Sequence, residues 1–77
     1  MPKLLDSEGV RVYIYPDDHP PPHVHAYWSG EAVKIATSDG NVLAGALPRR
    51  KLDVALRFVA DNRLGLLEKW QSLNARR

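Results

Sequence analysis

The sequence predicts an α+β domain, a small antiparallel sheet of three to four strands in a meander, packed on one face by two C-terminal helices or one kinked helix. Three observations predict it. Apolar residues alternate with polar ones through Val10, Val12 and Ile14 and again through Val24, Ala26 and Trp28, the period of a half-buried strand. After Pro48 the apolar spacing changes to three and four residues, in Leu52, Ala55, Leu56, Val59 and Ala60, the stripe of an amphipathic helix. The chain has 77 residues and no low-complexity stretch, which makes residues 1–77 one domain with a thin core.

The first strand is expected over residues 10–15, with Val10, Val12 and Ile14 facing one way. Pro16-Asp17-Asp18 and the triple proline Pro20-Pro21-Pro22 then form a stiff irregular connection. His23-Val24-His25-Ala26-Tyr27-Trp28 reads as the second strand, and Ser29-Gly30 suits a two-residue hairpin turn. Ala32-Val33-Lys34-Ile35-Ala36 is the third strand, and Ser38-Asp39-Gly40 turns the chain into a short fourth, Asn41-Val42-Leu43-Ala44.

Pro48 fits the first turn of the helix that follows. The apolar phase continues through Leu66, Leu67, Trp70 and Leu73, but Asn62-Arg63-Leu64-Gly65 interrupts it with a capping residue and a glycine, which favours two helices. Asp53 and Arg57, four apart, form a modest surface pair.

Composition narrows the chemistry. With no cysteine there is neither a disulfide nor a thiolate zinc site, so stability rests on apolar packing, on a partner chain or on a metal held by histidine and carboxylate; a homodimer is one expectation. Neither a signal-peptide core at the start nor an apolar run of about 20 residues elsewhere is present, so a soluble cytoplasmic protein with no membrane partner is expected. Net charge is +2, but residues 1–40 carry −3 and residues 41–77 carry +5, an asymmetry that points toward an acidic or polyanionic partner.

A helical stripe must cover an apolar sheet face. Alternation then sends Arg11, Tyr13, Tyr15, His23, His25, Tyr27 and Lys34 together to the opposite face. All three histidines of the chain fall in Asp18-His19-Pro20-Pro21-Pro22-His23-Val24-His25. On a strand, His23 and His25 lie about 6.5–7 Å apart at Cα, a spacing that suits metal chelation with Asp18 as a further ligand. The same imidazoles could exchange protons with a ribose 2′-hydroxyl while Arg11 or Lys34 stabilises charge on phosphate, as a metal-independent ribonuclease requires. Tyr13, Tyr15 and Tyr27 could stack unpaired RNA bases, but without the motif cores of RNA-binding modules an aromatic sheet face favours a protein partner or a second copy. Arg49, Arg50 and Lys51 stand in the first turn of the predicted helix, where cations are disfavoured unless an anion sits nearby, and are candidate ligands for phosphate or an acidic partner.

Met1-Pro2, the segment Asp18 to Ala26, Gly45-Ala46-Leu47-Pro48-Arg49-Arg50 and Trp70 together resemble a small bacterial family known as domain of unknown function 4160. A third proline before His23 departs from the pattern of many relatives. The resemblance implies membership of toxin–antitoxin-like two-gene systems, and hence a small protein partner from a neighbouring gene. The expected function is accordingly a partner-binding domain using the His/Tyr/Arg sheet face, with a ribonuclease and a histidine metal site as alternatives. No cofactor is expected in the first two readings, and a divalent metal in the third.

Overall fold

The computed structural model describes residues 3–15 and 19–74. Five strands, β1 (Lys3–Ser7), β2 (Val10–Tyr13), β3 (His23–Trp28), β4 (Glu31–Ala36) and β5 (Val42–Gly45), precede two helices, α1 (Arg49–Asp61) and α2 (Arg63–Asn74). The strands form one antiparallel meander in chain order. The sheet thus has five strands rather than the expected three to four. The additional strand is β1, whose sequence Lys-Leu-Leu-Asp-Ser places two apolar residues side by side and breaks the alternation. A register shift between Lys3 and Leu5 explains the pattern: Leu4 is an extra residue opposite β2.

Two hairpin turns set the register. Ser29 and Gly30 both have positive φ, 49° and 81°, and so do Glu8 and Gly9, at 54° and 80°. A two-residue turn of this hand matches the twist of the flanking strands. Ser-Gly announces such a turn; Glu-Gly does so poorly, since glutamate rarely adopts positive φ.

The core lies between the sheet and the helices. Val10, Val12 and Ile14, Val24 and Ala26, and Val33 and Ile35 are buried against Ala55, Val59, Leu66 and Trp70. Ile14 is buried although it lies beyond the end of β2. Pro48 directly precedes α1 and accepts from the Leu52 amide (2.8 Å). The helices part at Asn62: its backbone N–H reaches the Phe58 and Val59 carbonyls, and its Nδ2 donates to Phe58 O at 2.9 Å. Its own carbonyl then receives the Leu66 amide (2.9 Å), so Asn62 alone closes one helix and opens the next, and Gly65 lies within α2. Asp53 pairs with Arg49 (3.3 Å) rather than with Arg57. No described helix is long and apolar enough to cross a membrane.

At the end of α2, buried Asn74 donates from Nδ2 to the Trp70 carbonyl (2.9 Å) and to the Tyr15 carbonyl (3.3 Å). That second bond ties the helical layer to the stretch after β2 and fixes where Tyr15 emerges.

Gly45 carries a specific steric demand. Its φ is +80°, and a β-carbon there would overlap the Ala32 carbonyl oxygen on β4, beside the bond from the Ala46 amide to that oxygen. Gly30 has a similar φ of +81° but open space around it. Gly45→Ala is therefore expected to cost at least about 2 kcal/mol, lowering the melting temperature by about 8–16 °C, and Gly30→Ala about 1 kcal/mol. Thermal denaturation of the two variants checks this; equal losses would sink the crowding argument.

Candidate docking face

The sheet side away from the helices is organised in rows. The register aligns Lys3, Tyr13, His25, Lys34 and Ala44 across all five strands, and next to them Asp6, Arg11, Tyr27 and Ala32. Residues directly opposite in an antiparallel ladder share a face. Lys3 and Asp6 are three apart and would ordinarily point to opposite sides, but the extra residue at Leu4 brings both to the open face. There Lys3 Nζ donates to Asp6 Oδ2 at 2.8 Å. The hydrogen bond first, and the opposite charge second, raise the Lys3 ammonium above its usual pKa and lower the Asp6 carboxyl below its own. This pair persists through neutral pH, loosening only as acid protonates Asp6 or alkali deprotonates Lys3. Both groups are solvent-exposed, so water screens the contact heavily.

The aromatic side chains form a connected set. Tyr13 and Tyr15 stack with ring centroids 6.0 Å apart and planes 2° from parallel. Tyr27 meets Tyr13 edge-on at 5.6 Å, and Tyr15 meets His25 edge-on at 4.8 Å. The Tyr15 and Tyr27 hydroxyls lie 2.9 Å apart in a hydrogen bond. Tyr13, Tyr15, His25, Tyr27 and Lys34 are all half-buried, so each ring is held by its neighbours while part of its surface meets solvent. Ring pairs of this geometry contribute about 0.5–1.5 kcal/mol each beyond area burial.

The two histidines part company. His25 stands in the aromatic row, with Lys34 directly across on β4. His23 is only 2% exposed, and its Nδ1 lies 2.7 Å from the Pro21 carbonyl. A carbonyl partner requires Nδ1 to carry the proton. Thr37, fully buried just after β4, donates its amide to the Pro22 carbonyl (3.1 Å) and its hydroxyl to the same oxygen (3.4 Å). His23 and Thr37 together pin the prolines to the sheet. The rings of His23 and His25 remain adjacent, at 4.9 Å, while His19 is exposed.

The proposed third metal ligand, Asp18, lies outside the described residues. Among the described residues there is no group of three or more His, Cys, Asp or Glu side chains placed to hold a metal ion. The structure brings together His25, Lys34, Tyr13, Tyr15 and Tyr27, with Arg11 beside Tyr27 at the rim.

Arg49, Arg50 and Lys51 are not part of this face; they begin α1, in the other layer. Lys51 Nζ donates to the Glu8 carbonyl (3.0 Å), approaches the Glu8 carboxylate (4.0 Å) and sits 5.5 Å from the Trp28 ring centre. It clamps the β1–β2 turn to the helix. Arg49 is engaged with Asp53. Arg50 lines a groove of about 460 Å³ between β1 and α1, together with Arg57, Glu8, Asp53 and Asp61 over a floor that includes Leu5 and Phe58. Three carboxylates offset two guanidinium groups there, which removes the cationic excess an anion site needs.

Sequence reasoning missed Lys3 and Asp6, because β1 was missed. The available signal was Glu8-Gly9 at hairpin spacing before Val10. Asn74 was also missed; a polar residue four positions after a core tryptophan gave no pattern to read.

No curated protein and no solved structure matches the chain. A family model described as a domain of unknown function, DUF4160, matches residues 9–71, a span that starts in the β1–β2 turn and takes in every open-face residue from Arg11 to Ala44. With that match covering most of its length, the chain belongs to the DUF4160 family.

Proposed function

We propose that this chain is a docking domain, the partner-binding member of a toxin–antitoxin-like two-gene system, and that the cluster of Tyr13, Tyr15, Tyr27 and His25 is its anchor. The partner is a small cytoplasmic protein encoded by a neighbouring gene. The observation that carries this reading is the mutual support of half-exposed rings on a rigid sheet. Side chains already held in place lose little conformational entropy when a partner covers them, and tyrosines that combine apolar area with a hydroxyl are common interface anchors. Charge adds a preference. The two rows carry Lys3, Arg11 and Lys34 against the single carboxylate of Asp6, so a partner surface with acidic residues around an apolar centre is favoured.

A metal-independent ribonuclease is the second reading, and the juxtaposition of His25 with Lys34 supports it. It would work through His25, since burial and the Pro21 carbonyl hold His23 in a structural role. An RNA partner belongs to this reading, and a His23/His25 metal site to a third that would need a ligand beyond the described residues.

The readings separate experimentally. Tyr27→Ala and Tyr13→Ala should weaken binding to the neighbouring gene product by at least about 30-fold, measured by calorimetry, with the fold retained. Undiminished affinity in both variants would remove the anchor role. The two histidines should divide the same way: His23→Ala lowers stability by about 2–3 kcal/mol through a lost buried ring and hydrogen bond, whereas His25→Ala chiefly weakens binding. RNA incubated with the pure protein and a chelator should stay intact from about pH 5 to pH 9; cleavage that disappears in His25→Ala would overturn the docking reading in favour of the enzyme.

A further inference from the structure

The open face is not level. On β2 and β3 its two rows carry Tyr13, His25 and Tyr27; across the register on β4 and β5 they continue as Lys34, Ala44 and Ala32. Three rings therefore stand beside two methyl groups, and the step leaves a hollow of about 220 Å³ bounded by His25, Ala32, Val33, Lys34, Ala44 and Gly45. Gly45, whose φ of +80° and close approach to the Ala32 carbonyl exclude a side chain, leaves the β5 side of the hollow low. Lys34 is half-buried beside it, and among the described residues no carboxylate pairs with its ammonium. Asp6, the one acidic residue in the two rows, is bound to Lys3 on β1. An ammonium partly withdrawn from water with no counter-charge is an incomplete pair.

We infer that this hollow is a subsite for a glutamate side chain of the docked partner, with the carboxylate on the Lys34 ammonium and the methylenes on Ala32 and Ala44. The source of the carboxylate rests on the docking reading; the chemistry of the hollow does not. Charge selects an anion, and the lining selects which one. Methyl groups and a glycine around a single ammonium suit an anion that carries an apolar stem and asks for few donors. A phosphate, with more oxygens to satisfy, would leave several of them against alanine. Glutamate has one more methylene than aspartate to lay on that floor, and burying apolar area is favourable. Covering the hollow also removes water from around the ion pair, which strengthens a contact that is weak on an open surface. The His25 ring forms one wall, so the subsite adjoins the aromatic cluster and one partner surface can occupy both.

Butyrate, which reproduces the stem and head of a glutamate side chain, is the probe for the free chain. Titrated to about 50 mM at constant ionic strength, it should shift the Ala32 and Ala44 methyl NMR signals toward saturation, with the weak affinity expected of so small a ligand. Lys34→Met, which keeps the stem and removes the charge, should abolish the shift. Ala44→Leu, which fills the hollow from an exposed position, should do the same, and amide dispersion reports that both variants fold. Signals that stay put in the parent, or that shift equally in both variants, overturn the inference. Saturation by inorganic phosphate in place of butyrate overturns it too, in favour of the ribonuclease reading. With the neighbouring gene product, Lys34→Met should weaken binding by at least about 10-fold and reduce its dependence on salt. Parental affinity in that variant overturns the subsite, while Tyr27→Ala still reports on docking. A chain that takes butyrate but not the gene product sinks the docking reading and the partner as source, and upholds the hollow as a carboxylate site.

Discussion

Among the described residues the helices cover one side of the sheet, and the arrangement of the other side follows from that constraint. Val10, Val12, Ile14, Val24, Ala26, Val33 and Ile35 are buried beneath two helices. Because strand side chains alternate, each of these commitments forces a neighbour to the other side. Among the described residues no further helix or strand lies over them. The open face is a by-product of the core, and its residues meet solvent and one another.

On that face the tyrosines act as a second, shallow packing unit. Tyr13, Tyr15, Tyr27 and His25 satisfy one another through ring contacts and one hydroxyl pair, giving local rigidity without burying the surface completely. The bond from Asn74 to the Tyr15 carbonyl extends this order to the last turn of α2. Asn74 thereby links the helical layer to the stretch that carries Tyr15.

The parts legible in the sequence are those governed by short, regular periods. β3 and β4 alternate cleanly around a Ser-Gly turn, and the helical stripe shifts phase at Asn62, so both were readable, as was the gathering of Tyr13, Tyr15, Tyr27 and His25. β1 was not, because a bulge at Leu4 spoils the alternation by inserting a residue whose effect depends on a partner strand. The burial of His23 was hidden for a related reason. Period places it on the open side, yet it is buried, with Nδ1 on the Pro21 carbonyl and Thr37, just after β4, bound to the Pro22 carbonyl, contacts that strand period does not encode. The basic run from Arg49 to Lys51 was legible as charge but not as geometry: Lys51 finds Glu8, 43 residues away, a contact no local spacing encodes.

The division between His23 and His25 has a further meaning for the face. Two identical side chains, two residues apart on one strand, meet different environments: the first is buried and the second half-buried. His23 spends its Nδ1 proton on the Pro21 carbonyl and so fixes the path by which the loop enters β3. That path sets the position of His25, whose ring lies against that of His23 on one side and Tyr15 on the other. An imidazole gripped in this way is presented in one orientation to whatever approaches the sheet. The histidine-rich segment thus works as a mount and a mounted group: His23 and Thr37 clamp the end of the proline approach, and the half-buried ring of His25 lies against that of His23.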